Sequence, residues 1–248
     1  KALSADPNYI EAYVNLGMTL IHLNQPHKAI PYLLQALQKD PNIKEIHTNL
    51  AIAYAQTGQL RRAINHCHQA LTISPGCVAS MYNLGLIYQE QGTLKKAIEW
   101  LSKAIAGTPD NVQMRLSLAE VLAADGNRRL AIAQLKTVLT LDPGNMQALM
   151  VLGTLYAQEK DEPNAIRIYN QLSRLLPDNP TVYYNLACLY ARQNEIAASI
   201  TNLKKAVSKG YSNWVRIKTD PDLANIRQTN DYQTIIKKAS PYATNKSI

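Results

Sequence analysis

The chain has no phenylalanine and only three cysteines among its 248 residues. The thiols Cys67, Cys77 and Cys188 are odd in number and form no CxxC pair, so we expect neither a disulfide framework nor a zinc site. His66 and His68 flank Cys67 without a second ligand pair nearby, and we interpret them as surface side chains around a small core thiol. The sequence therefore predicts no bound metal.

Long apolar runs and nucleotide-binding glycine motifs are also missing. No stretch approaches the roughly 20 apolar residues that are needed to cross a bilayer, and neither GxGxxG nor GxxxxGK[ST] occurs. No combination of nucleophile and general base is recognisable either. We therefore expect no transmembrane segment, no cofactor and no catalysis from these residues.

The positive charge is unevenly distributed along the chain. The formal net charge is +8, but residues 1–200 carry 17 Lys and Arg against 15 Asp and Glu, a net of +2. Residues 201–248 carry 9 against 3, a net of +6. Most of the excess charge thus belongs to the C-terminal segment.

An eleven-residue phrase repeats within the chain. YNLGLIYQEQG at 82–92 returns as YNLACLYARQN at 184–194, which is 102 positions, or three times 34, further on. Self-similarity at a fixed period of a few tens of residues indicates stacked repeats. With position one at Ile10, six units follow without insertion: 10–43, 44–77, 78–111, 112–145, 146–179 and 180–211.

Each unit has the pattern of two packed helices. Position seven is always leucine, and position eight is always small: Gly17, Ala51, Gly85, Ala119, Gly153 and Ala187. Positions four, seven, eight and eleven form one helical stripe, and positions 20, 24 and 27 form a second. Gly58, Gly92 and Gly126 supply a turn between the helices, and a proline near the end of five units stops the second helix.

These features resemble the tetratricopeptide repeat, whose 34-residue pattern has Leu-Gly at positions seven and eight, Tyr at eleven, Ala at twenty and Pro at thirty-two. The resemblance covers residues 10–211 and implies an all-α, right-handed α-solenoid of six helix-turn-helix repeats with a concave groove. Three units depart from the pattern at position four, where they carry His47, Met81 and Arg115.

The two ends differ from the repeats. KALSADP at 1–7 matches the last third of another unit, so we expect residues 1–9 to end a truncated repeat that leaves an open face. Residues 212–248 lack the pattern and resemble the DPDL-type tail of many tetratricopeptide proteins. We expect a helical cap there, whose apolar residues cover the last repeat: Trp214, Leu223, Ile226, Tyr232, Ile235 and Ile236.

The resemblance places the groove on the first helices, at positions two, five, six, nine, twelve and thirteen. Position six is asparagine in four units, and an amide can bind both groups of a peptide backbone. This pattern resembles the asparagine ladder of the O-linked N-acetylglucosamine transferase repeat domain; local hydrogen bonding is the alternative explanation. The candidate groove residues are Val14, Asn15, Met18, Asn49, Ile52, Tyr82, Asn83, Leu86, Glu120, Tyr184 and Asn185.

A second candidate surface is a set of paired cations, which we call the basic ridge. It consists of residues at the start of three successive second helices: Arg61, Arg62, Lys95, Lys96, Arg128 and Arg129. Helix-dipole effects favour acids at such positions. The ridge is either solvated surface or a contact for an acidic protein, lipid headgroups or RNA; of these partners nucleic acid is not expected, because no aromatic residues are interleaved with the pairs.

The sequence predicts a protein-protein interaction scaffold or assembly factor that binds an extended peptide segment of a client protein in its concave groove. Two alternatives stay open, namely the targeting arm of an enzyme whose catalytic domain lies elsewhere, and a module that self-associates through its open N-terminal face. The family's clamp for chaperone C-termini, which needs Lys and Asn at groove positions, is missing. A cytoplasmic location is favoured. A targeting sequence, if the protein has one, would lie before position 1 and so outside this sequence.

Overall fold

A computed structural model describes residues 10–238 of the chain, all as helices and connecting turns without a strand in that range. The predicted truncated repeat at residues 1–9 lies outside the described residues, as does the open face that it would form. The chain divides between Gln134 and Leu135 into two compact units, here named the first unit and the second unit. Each of them is larger than a single 34-residue segment, which is called a repeat from here on. The all-α fold class and the helix-turn-helix repeats predicted from the sequence are confirmed.

The helices recur with the period of the sequence. The first helix of each repeat has 13 residues: α1 (Ile10–His22), α3 (Lys44–Gln56), α5 (Val78–Glu90), α7 (Val112–Ala124), α9 (Met146–Gln158) and α11 (Pro180–Arg192). The second helices are α2 (Pro26–Lys39), α4 (Leu60–Ile73), α6 (Leu94–Gly107), α8 (Arg128–Leu141), α10 (Glu162–Leu175) and α12 (Ile196–Ser208). Each boundary therefore repeats almost without drift.

The turn between the paired helices has the same backbone form in all six repeats. The residue at position fifteen adopts a positive φ, from 56° to 83°. Glycine fills the position three times, at Gly58, Gly92 and Gly126, and an L side chain fills it at Asn24, Lys160 and Asn194. Because this left-handed region favours glycine, the turn tolerates a side chain there only at a cost.

Close packing of paired helices depends on the small residue at position eight. A Cβ built on Gly85 would lie 2.6 Å from Leu101 Cγ, and one on Gly17 would lie 2.5 Å from Leu33 Cδ2. Leu33, Leu84 and Leu101 are completely buried. The leucines of one helix therefore occupy the space that the glycine of the other leaves open.

The unusual residues at position four find partners at position twenty-three of the same repeat. In the first unit, Nδ1 of His47 lies 3.0 Å from Nδ1 of His66, and Arg115 Nη1 donates to Gln134 Oε1 at 2.7 Å. His66 is thus half-buried and paired with His47, and the interpretation of it as a surface side chain was wrong. Each of these two polar residues at position four therefore has a polar partner at position twenty-three of its own repeat.

In the second unit, three short helices follow the last repeat: α13 (Trp214–Thr219), a 3-10 helix (Pro221–Ile226) and α14 (Asn230–Lys238). The 3-10 helix packs on α11 and α12, and α14 packs on α12. Ile217, Leu223 and Ile226 are fully buried, as are nearly all of Tyr232 and Ile235. These residues cover the apolar side of the last repeat, as a cap does.

Candidate functional site

A cleft of about 380 Å³ lies between α3 and α5 in the first unit. Ala51 and Ala55 contribute small side chains, and Ile52, Leu86 and Ile87 provide apolar walls. Polar groups at its edges come from Gln56, Asn83 and Glu90. Apolar walls with a few polar groups are typical of sites that bind both side chains and backbone. The cleft brings together three predicted groove residues, namely Ile52, Asn83 and Leu86.

The amide of Asn83 has an unusual environment. Its Nδ2 atom is buried and has no hydrogen-bond partner. Leaving such a donor unsatisfied costs about 1–3 kcal/mol. A carbonyl group that entered the cleft would satisfy the donor once the amide turned about χ2 to meet it. Asn83 is thus a polar group whose missing partner is available from a peptide backbone.

The other predicted groove residues of the first unit differ in accessibility. Asn15 is exposed, and Met18 is 41% exposed. Val14, Asn49, Tyr82 and Glu120 are half-buried. The Tyr82 hydroxyl lies 3.0 Å from Ser117 Oγ, so it links α5 to α7. Tyr82, at position five, therefore takes part in packing between first helices.

In the second unit, Tyr184 does not line an open groove. Its side chain is completely buried, its hydroxyl donates to Asp220 Oδ2 at 2.7 Å, and its ring stacks on Tyr211 at 4.2 Å between centroids. Burial, together with the negative charge of Asp220, raises the pKa of Tyr184 above its ordinary value. The prediction of Tyr184 as a groove residue fails because the cap covers this position.

Asn185 lines a different cleft of the second unit, with a volume of about 470 Å³. Met150 and Thr154 come from α9, and the cap supplies Arg216 and Asp222. Arg216 and Asp222 were not among the predicted site residues, because the repeat pattern carries no information beyond residue 211. The DPDL sequence signals only the start of a helix: Asp220 is the N-cap residue of the 3-10 helix, and its carboxylate Oδ1 accepts from the Asp222 amide.

Cys188, Asp220 and Asp222 form a cluster that was also missed, with one possible ligand atom from each within 4.8 Å of the others. Burial and the charge of Asp220 raise the pKa of the Cys188 thiol to about 12. With no cation bound, the thiol therefore stays protonated at neutral pH. Oδ2 of Asp220 already accepts from Tyr184 and Arg216. The three side chains therefore form a contact that joins the cap to α11.

The two thiols of the first unit are unlike each other. Burial raises the pKa of Cys67 to about 12. Burial acts in the same direction on Cys77, but hydrogen bonds with Ser80 and Thr48 and the nearby charge of Lys44 leave its pKa below the ordinary value. Cys77 is partly accessible, at the N-cap of α5. The three cysteines are thus one partly accessible thiol and two buried ones.

The residues of the basic ridge are exposed at the beginnings of α4, α6 and α8, as the sequence predicted. The guanidinium carbon of Arg62 lies 5.5 Å from the ring centroid of Tyr54, and Lys96 Nζ lies 5.2 Å from that of Tyr88. Both rings belong to position eleven of the preceding helix. One cation of each of these two pairs therefore rests on an aromatic ring.

The paired helices and the cleft between first helices define a helical-repeat protein. The family is shown by sequence: models of the tetratricopeptide repeat match residues 1–30, 42–110 and 180–208, and the model of the cytochrome c-type biogenesis protein H TPR domain matches residues 79–183. The chain is a tetratricopeptide-repeat protein.

The chain is also similar to several known proteins. A chloroplastic protein of Arabidopsis thaliana is 33% identical over 54 residues, which are 22% of this chain and 16% of that protein. Among solved structures, pilF of Pseudomonas aeruginosa covers 92% of this chain and 97% of its own, with 17% identity and a TM-score of 0.69. The protein YrrB, described as having an unusual peptide-binding site, covers 75% and 96%, with 19% identity and a TM-score of 0.67. The likenesses to the two structures show a common fold.

Within residues 10–238, every helix is too short or too polar to span a lipid bilayer.

Proposed function

We propose that this chain is a non-catalytic scaffold that binds an extended peptide segment of a client protein. The binding site is the groove of the first unit, centred on the cleft between α3 and α5. The observation that carries the proposal is the unsatisfied Nδ2 of Asn83 beside the apolar walls formed by Ile52 and Leu86. An apolar client side chain fills the cleft while its backbone carbonyl accepts from Asn83.

Asparagines at position six extend this arrangement along the first unit. Asn15 on α1 and Asn49 on α3 occupy the positions equivalent to Asn83 on α5. Successive first helices contact one another, α1 with α3 and α3 with α5. An extended peptide that crosses these helices meets one amide on each, as in an asparagine ladder. The likeness to YrrB, a protein with a peptide-binding site, supports this type of ligand.

A test separates the binding role of Asn83 from a structural role. Peptides are first selected on the wild-type protein from a random 12-residue display library and then titrated. We expect Asn83→Ala to weaken binding by about 0.5–1.5 kcal/mol, the value of one hydrogen bond. The free energy of unfolding should stay within about 0.5 kcal/mol of wild type or rise, because the substitution removes an unsatisfied buried donor. The triple variant with Asn15→Ala and Asn49→Ala should lose roughly tenfold to several hundredfold in affinity.

Leu84→Ala is the matched control at the next residue. Leu84 is fully buried, so its truncation should lower the free energy of unfolding by about 2–5 kcal/mol. Its effect on binding, measured where the variant is folded, should be smaller than that of the triple variant. Equal affinities of wild type and triple variant would remove the asparagines from the proposed site.

A further inference from the structure

The basic ridge is a strongly charged surface that the groove does not use. On α4 and α6 it consists of two adjacent exposed cations per helix, Arg61 with Arg62 and Lys95 with Lys96. The pairs occupy the same positions of successive repeats, and α5 packs against both helices. Arg128 and Arg129 continue the series at the beginning of α8.

Acidic residues are absent from the part of the chain that contributes Arg61 and Arg62 to the ridge. No Asp or Glu lies between Glu45 and Glu90, a stretch that contains most of α3, all of α4 and nearly all of α5. Glu99, on α6, pairs with Lys103 at 2.6 Å. None of the ion pairs found among residues 10–238 involves Arg61, Arg62, Lys95 or Lys96. Their charge is not neutralised within the first unit.

Tyrosine rings position these cations in the absence of acidic partners. Arg62 lies over Tyr54 and Lys96 over Tyr88, and Arg62 Nη1 also donates to Gln59 Oε1 at 2.7 Å. A contact with a ring face attracts a cation without cancelling its charge. The ring contact also restricts the side chain before a ligand arrives, so less conformational entropy is lost on binding. On α4 and α6 the ridge therefore presents unneutralised positive charge, part of it, on Arg62 and Lys96, held against aromatic rings.

The surroundings of the ridge favour one class of partner. Tyr54 is only 5% exposed, so its ring is not a stacking platform for nucleic-acid bases. The exposed large apolar side chains of residues 10–238 include none next to the cation pairs of α4 and α6, so nothing there would insert into a lipid surface. Charge complementarity alone is available, and acidic side chains of a polypeptide match it.

We propose that the basic ridge on α4 and α6 is a second docking surface, which binds an acidic, extended polypeptide segment of a partner protein. The carboxylates pair with Arg61 and Lys95, and the cations held over Tyr54 and Tyr88 extend the same field. This surface acts independently of the groove and stands whether or not the groove binds a peptide.

The test uses a fluorescein-labelled 12-residue peptide of alternating Glu and Ser, with alternating Gln and Ser as the uncharged control. We expect the acidic peptide to bind the full chain at about 0.05 M NaCl and to be released at higher salt, because exposed charge pairs are screened. Arg61→Glu with Lys95→Glu should weaken binding by about tenfold or more. Neither side chain lies over a ring, so helical circular dichroism should be unchanged.

Arg174→Glu with Lys218→Glu is the matched control, with the same change of net charge at exposed sites of the second unit. It should leave the affinity within about twofold. Equal weakening by both double variants would show an effect of net charge alone and would overturn the proposal. Sedimentation with phosphatidylserine-containing vesicles provides the second arm. Wild-type protein that sediments with vesicles, while Arg61→Glu/Lys95→Glu does not, would make a lipid surface the occupant and overturn the peptide assignment.

Discussion

At the scale of single residues, the close packing of the paired helices depends on the absence of a large side chain at position eight. Gly17 and Gly85 face Leu33 and Leu101 at distances that exclude a Cβ. Opposite Ala51, position twenty-four holds the smaller Cys67, whereas the repeats with Ala119 and Ala187 keep leucine there, at Leu135 and Leu203. At Gly17 and Gly85, leucine side chains of the second helix therefore fill the space that a Cβ would need.

Gly85→Ala is expected to destabilise the protein although alanine is the better helix former. The new methyl group would meet Leu101 at 2.6 Å, and overpacking of a core costs about 1–3 kcal/mol. Helix propensity would contribute about 1 kcal/mol in the opposite direction. The free energy of unfolding, measured by urea titration, should fall by a net of about 1 kcal/mol. Gly76→Ala is the control, because no atom lies within 4 Å of its Cβ position; a similar loss in both variants would contradict the explanation.

At the scale of elements, the cap is built differently from the repeats. Short helices replace the regular pairs, and Asp220 both caps the 3-10 helix and accepts from Tyr184. Asn213 caps α13 by accepting from Arg216 N. Local hydrogen bonds thus set the course of the chain where the repeat pattern ends.

Truncation of a buried cap residue should lower stability far more than truncation of an exposed one. Leu223 is fully buried, so Leu223→Ala should reduce the free energy of unfolding by about 2–5 kcal/mol. Val215, on α13, is 74% exposed, and Val215→Ala should change it by less than about 0.5 kcal/mol. Thermal unfolding of the two variants makes the comparison. Equal melting temperatures would show that the segment does not act as a cap.

The sequence was sufficient for the repeated elements and insufficient where distant segments meet. Position seven and position eight predicted the helix pairs, because the same contacts recur every 34 residues. Tyr184 was misplaced because its partners, Asp220 and Tyr211, lie outside the repeat pattern. The His47–His66 contact was also missed, since each residue is unusual only in its own repeat. The lack of a hydrogen-bond partner for the Asn83 amide depends on which side chains surround it, and residue spacing alone does not predict those contacts.

At the scale of the whole molecule, the histidine pair makes stability depend on pH. His47 Nε2 lies 3.1 Å from the carbonyl oxygen of Pro41, so it carries a hydrogen and donates, and Nδ1 accepts from His66. Burial, and then the nearby His47, lower the pKa of His66 from 6.5 to about 4. The unfolded chain thus binds a proton near pH 6.5 that the folded chain does not bind until about pH 4.

The free energy of unfolding should therefore be fully retained above about pH 6.5 and fall between pH 6.5 and 4. After allowance for partial exposure, we expect His66 to account for about 1–2 kcal/mol of that fall. Urea titrations at intervals of pH, followed by helical circular dichroism, measure the slope. His66→Gln cannot titrate and should show a shallower fall than wild type. Identical slopes would contradict the role of His66.

The inequality of the three thiols makes the protein suitable for optical measurements without further engineering. Cys77 is partly accessible with a lowered pKa, whereas Cys67 and Cys188 are buried with raised ones. A maleimide dye applied briefly near neutral pH should therefore attach at Cys77 and spare the other two. Because Cys77 begins the helix that carries Asn83 and Leu86, the dye would report ligand arrival in real time from beside the cleft.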